Sequence, residues 1–172
     1  MDLSTIIIGI VALALFVVPI MYIQRVQKRK AEKQLHEFIT QGEAQQLKLT
    51  KHEFWDDCYG IGLDERQHKL FYVRKFKDRE QQKVVSLADM KKCSVSNLSR
   101  ESNGTKVIDQ IELRFTPRDA KAQDVCLEFY SREVNLMLAE ELQTANKWSA
   151  IANEGIVAAS ASVSSHTSVP TA

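Results

Sequence analysis

Residues 140–153 read EELQTANKWSAIAN. Leu142, Ala145, Trp148 and Ile151 recur three residues apart, and Val134 and Leu138 extend the row upstream at intervals of four. That spacing places them on one face of a helix. Ser131 offers an N-cap, Glu133 puts an acid where the helix dipole favours one, and Gly155 offers a stop. The pattern predicts a helix over 131–153. Trp148 is its largest side chain, and a tryptophan on an apolar helix face is ordinarily core. It is expected to be buried beside Val107, Leu113, Leu127 and Phe129, as a structural core residue.

Upstream of this helix the period is two. CYGIGLD (58–64) and KLFYVRKF (69–76) flank a polar ERQH turn, and KVVSL (83–87) follows. In KKCSVSNLSR (91–100), Cys93, Val95 and Asn97 share a side. Asn103-Gly104 is a hairpin signal, since both residues tolerate positive φ. In KVIDQIELRF (106–115), Val107, Ile111, Leu113 and Phe115 are odd-numbered, while Gln110, Glu112 and Arg114 are even. DVCLEFY (124–130) repeats the alternation. These are strands of a sheet with one wet face. Six strands are clear, and a seventh lies within QLKLTKHEFW (46–55) or comes from dividing 91–100. After Glu154 the chain turns small and Ser/Thr-rich, and residues 154–172 are expected to be a disordered tail.

Consecutive antiparallel strands followed by one helix that carries Trp148 in ELQTANKWSAI resemble a pleckstrin-homology-like domain, over residues 55–153. The chain as a whole resembles small bacterial proteins that attach such a module to a single N-terminal span. The resemblance implies a binding or scaffolding role. The expected fold class is α+β: an N-terminal transmembrane helix, then an antiparallel sheet or barrel closed by one C-terminal helix. The expected domains are the span at 1–23, a basic juxtamembrane helix or linker at 24–46, and the module at 47–153.

The span is read from LSTIIIGIVALALFVVPIMYI, residues 3–23, which hold no charge. At ~1.5 Å per residue a helix of that length crosses a ~30 Å hydrocarbon core. Pro19 is tolerable in a membrane helix, and Tyr22 suits the interface. A cleaved signal peptide would want a basic start and an apolar run ending near Ala12-Leu13-Ala14, and neither is present. Arg25, Lys28, Arg29, Lys30 and Lys33 follow at once. They are the expected membrane-surface contacts, and they predict an outside N-terminus with the domain cytoplasmic. The chain has 23 Lys+Arg against 22 Asp+Glu. Without those five, Asp2 and Glu32, 18 basic and 20 acidic residues remain, a balance of −2. With no basic surplus in the folded part, nucleic acid is not an expected partner. Cys58, Cys93 and Cys126 are odd in number and widely spaced, as in a reducing compartment. The sequons at Asn97 and Asn103 are silent in that topology.

Chemistry-bearing motifs are sparse. KHEFWDDC gathers His52, Glu53, Asp56, Asp57 and Cys58, but at no common zinc spacing. No G-x-S-x-G, H-E-x-x-H, P-loop or G-x-G-x-x-G occurs, and Gly60-Ile61-Gly62 alone is no phosphate cradle. No catalytic residue, metal or cofactor is expected. Lys69, Arg74, Lys75, Lys77 and Arg79 surround the second strand. Inositol-phosphate-binding members of the resembled family place basic residues here, yet their basic-x-Arg spacing is absent. A charged, aggregation-resistant strand edge is the simpler reading. The expected function is a non-enzymatic, single-pass membrane protein presenting a cytoplasmic module to a protein partner. The alternatives are a membrane-proximal enzyme without a recognised motif and an accessory subunit of a membrane complex.

Overall fold

The computed structural model describes the backbone of residues 3–77, 79–102 and 104–165. Side chains of 3–17, 20, 102, 105, 106 and 163–165 are outside the description. The chain forms two compact units, 1–41 and 42–172. The first is helical: α1 runs Leu3–Ala44 and continues through Pro19. Arg25, Lys28, Arg29, Lys30 and Lys33 are all exposed on it. Among the described residues, no helix is long and apolar enough to cross a membrane. Most of the side chains of the expected span lie outside those residues.

Among the described residues the second unit is α+β, with seven strands. A first sheet has the order β1 (Lys51–Trp55), β2 (Tyr59–Asp64), β3 (Lys69–Phe76), β4 (Arg79–Ser86). A second has the order β5 (Met90–Ser102), β6 (Thr105–Pro117), β7 (Val125–Ser131). All neighbours are antiparallel. The seventh strand is β1, within the 46–55 stretch. The expected alternative of a single closed barrel does not form, since the ladders give two separate sheets. A 3-10 turn at Leu87–Asp89 carries the chain from one to the other, with Leu87 fully buried. Turns between the first strands take left-handed residues at Asp56, Asp57, His68 and Lys77, a conformation that suits short polar side chains best.

The core lies between the inner faces of the sheets. Ile61, Leu63, Leu70, Tyr72 and Val85 face Ile111, Leu113, Phe115, Leu127 and Phe129. Val107 is not among them. Leu98 pairs with Gln110 but Ser99 with Ile108, so Asp109 is an extra residue in β6. A bulge flips the alternation beyond it, and Ile108 packs on the core in place of Val107.

The closing helix differs from its expected bounds at both ends. α2 runs Glu141–Ser165. Ser131 is the last residue of β7, paired with Gln110. Its carbonyl accepts the Val134 and Asn135 N–H groups, so Val134 and Leu138 fall in a loop. Gly155 lies inside the helix, where an added Cβ would stand 2.6 Å from Leu87 Cδ1. The stretch expected to be disordered from 154 is helical to Ser165, and Ile156 and Ala159 are buried. Residues 166–172 are outside the description. Alanine is the best helix former, and its small side chain lets a helix approach a sheet closely.

Candidate functional site

Trp148 is buried to 1 % exposure, and its indole N–H donates to Glu53 Oε2 at 2.6 Å. Lys147 Nζ reaches the same carboxylate at 2.9 and 3.0 Å. Glu53 on β1 therefore clamps α2 to the first sheet. The KHEFWDDC cluster is thus divided by the strand. His52 and Glu53 are successive residues and point to opposite faces. Asp56 accepts from Asn135 Nδ2 at 3.3 Å. Among the described residues, no group of three His, Cys, Asp or Glu could hold a metal.

The outer edge of β7 is covered by side chains. Ile111 pairs with Tyr130 and Glu112 with Glu128, so Phe129 is extra and its carbonyl leaves the ladder. Trp55 Nε1 donates to it at 2.8 Å, and the indole stacks on Tyr59 and Phe129. Tyr72 donates to Glu128 O and Lys83 to Cys126 O. β5 is treated likewise: Asn153 accepts from Cys93 N–H at 3.0 Å and donates to Cys93 O at 2.8 Å. These contacts satisfy backbone groups that would otherwise template another strand.

The basic stretch around β3 is largely spoken for. Arg74 pairs with Glu128 at 2.8 Å and lies over Phe76, Lys75 pairs with Glu80, and Lys77 also sits over Phe76. Tyr59 donates to the same Glu128 carboxylate at 2.8 Å. Burial, then that carboxylate, hold the Tyr59 phenol well above its usual range, so it stays a donor. Gly60 and Gly62 are buried within β2 and paired on both sides, leaving no room for a phosphate. Burial pushes the Cys93 thiol up to about 11 and raises Cys126 as well. Neither is poised as a nucleophile.

Two features that sequence reasoning missed stand at opposite ends of the first sheet. Next to the β1–β2 turn, the loop between β7 and α2 presents Leu136 and Met137 at 79 % and 78 % exposure. Assigning 134–138 to the helix hid them. At the other end, by the β2–β3 turn, a pocket of about 190 Å³ is lined on its apolar side by Leu63, Ile151, Gly155 and Ala158. Lys51, Glu65, His68 and Glu154 rim it, with Lys51 and Glu65 paired at 2.9 Å. It depends on Gly155 and Ala158 lying within a helix, which the sequence did not signal. The chain matches no family model, no curated protein and no solved structure.

Proposed function

We propose that the chain is a non-enzymatic membrane protein, anchored through residues 3–23, that presents a pleckstrin-homology-like binding or scaffolding module in the cytoplasm. The observation that carries this reading is on α1. Val18, Met21, Tyr22 and Ile23 are between 49 % and 69 % exposed at the end of the apolar run. The exposed basic residues follow directly on the same helix. Apolar side chains left open in a row call for a nonaqueous cover, and the adjoining positive charge sets which side of a bilayer the rest of the chain occupies. Arg25, Arg29 and Lys33, four apart, form one stripe suited to anionic headgroups. A four-strand and a three-strand antiparallel sheet closed by one helix support the family reading of the module.

The polar groups of the module point to binding rather than catalysis. Glu53, Asp64, Arg74 and Glu128 are each consumed by contacts that hold the fold together. An alkaline phosphatase domain fused after Ala172 tests the topology. The expected result is an inactive fusion, since the enzyme matures only after export. Phosphatase activity would overturn the cytoplasmic placement.

A further inference from the structure

We infer that Leu136 and Met137, with Glu133 and Glu140 on either side, form a docking knob for a basic amphipathic segment of another membrane protein, of the kind that adjoins a span on its cytoplasmic side. This rests on the membrane-anchored reading above and names the class of partner.

The loop between β7 and α2 is built to hold these residues out. Arg132 N–H donates to Asp109 O, and the Val134 and Asn135 N–H groups donate to Ser131 O. Asn135 Nδ2 donates to Asp56 at 3.3 Å, and its Oδ1 accepts from Met137 N–H at 3.1 Å. Ala139 N–H donates to the buried Glu141 carboxylate at 2.6 Å. A segment braced in this way loses little freedom on docking. Yet Leu136 and Met137 stay 79 % and 78 % exposed, and Leu138 beside them is exposed too. Apolar side chains scattered singly over a surface are ordinary, whereas a run of them in water marks an interaction surface.

Charge selects the occupant. Glu133 and Glu140 are exposed at the two ends of the apolar run. Among the described residues, neither carboxylate has an ion-pair partner. Asp56 and Asp57 occupy the adjoining β1–β2 turn, which Asn135 touches. The one cation of the loop, Arg132, is turned to Asp109, which it shares with Arg100. Acid therefore dominates around the knob. An anionic bilayer surface is repelled by it, and an uncharged apolar partner would desolvate carboxylates without pairing them. Lys and Arg set beside apolar residues answer both needs.

Segments of that composition occur where the proposed anchor places this module. Membrane proteins carry Lys/Arg-rich stretches just cytoplasmic to their spans. A module tethered at the same face meets them at raised effective concentration. The contact is then an apolar helix stripe laid on an apolar surface, oriented by opposite charge.

The full chain in phosphatidylcholine nanodiscs tests this with a labelled helical peptide of about four turns, Leu on one face and Lys on the other. A peptide with Glu in place of Lys is its counterpart, and discs without protein set the baseline for fluorescence anisotropy. The Leu/Lys peptide is expected to bind above baseline, to weaken at about 0.5 M salt, and to shield Met137 from peroxide, read by mass spectrometry. Leu136→Ser with Met137→Ser should lower the affinity about tenfold or more. Glu133→Lys with Glu140→Lys should do the same and bind the Leu/Glu peptide instead. All four positions are exposed, and an unchanged melting temperature confirms that the variants fold. Binding no stronger than baseline, equal binding by either variant, or no switch to the Leu/Glu peptide would overturn the knob. Met137 shielded before any peptide is added would mean that lipid or another part of the same protein covers it, and would overturn the assignment too. Peptide binding does not depend on which side of a cell membrane the module occupies, and the phosphatase fusion reads that alone, so the two readings fail separately.

Discussion

Trp148 fills the core with its ring and satisfies its one polar atom on Glu53, so two different substitutions separate packing from hydrogen bonding. Trp148→Ala should cost about 3–5 kcal/mol through the cavity it leaves. Glu53→Ala keeps the ring but strands the buried indole N–H, at about 1–3 kcal/mol. Urea unfolding of both variants would show the order, and a Glu53→Ala loss as large as that of Trp148→Ala would refute this division. Asp64 gives a pH dependence. Burial disfavours its charge, but the N–H groups of Lys48, Gln67 and Arg66 more than offset that and hold the carboxyl below its usual range. Its stabilisation is present above the ordinary carboxylate pKa of ~3.9 and is lost as pH falls through the lower folded value. The stability gap between wild type and Asp64→Asn should thus be level at neutral pH and shrink below about pH 4. A gap that widens on acidification would count against this account. The burial of Trp148 was legible from its place in a helical row. Its partner was not, because Glu53 lies 95 residues upstream.

At the scale of elements, the second half of α2 is the segment whose role changed most. Ile156 and Ala159 are buried, and Arg118 reaches Ser160. Truncation after Gly155 should therefore destabilise the domain by at least the burial of one isoleucine, about 1.5–3 kcal/mol. Thermal unfolding of the truncated chain checks this, and an unchanged melting temperature would show the helix end to be dispensable. The β5–β6 hairpin, with Gly104 at positive φ, and most of β2, β3, β5 and β6 were readable, since period-two alternation and a glycine-bearing turn are local signals; Asn103 lies outside the described residues. The helix start was not, because Ser131 had two competing uses and the β6–β7 ladder took it. Bulges at Asp109 and Phe129 were equally invisible, as each is settled by the partner strand.

For the whole molecule, the proposed topology rests on five charges. Replacing Arg25, Lys28, Arg29, Lys30 and Lys33 with Gln should remove the orientation bias. A reporter fused at the C-terminus should then show a mixed or inverted population. Unchanged orientation in that variant would mean that another feature, such as folding of the domain before insertion, sets the topology.

The sequence alone determined what depends on neighbours along the chain: the apolar run with its basic flank, the alternation within each strand and the helical row around Trp148. The tertiary structure decided what depends on distant partners. It divided seven strands into two sheets, because β4 and β5 are parted by a turn that buries Leu87 and sends the chain to a new ladder. It turned an Ala/Ser-rich tail into helix, because Gly155 lets α2 lie against Leu87 and the sheet then buries Ile156 and Ala159. It also left Leu136 and Met137 in solvent, in a loop ahead of a helix that starts only at Glu141. Burial is a property of the assembled surface, and no local pattern encodes which apolar residues the last helix will leave uncovered.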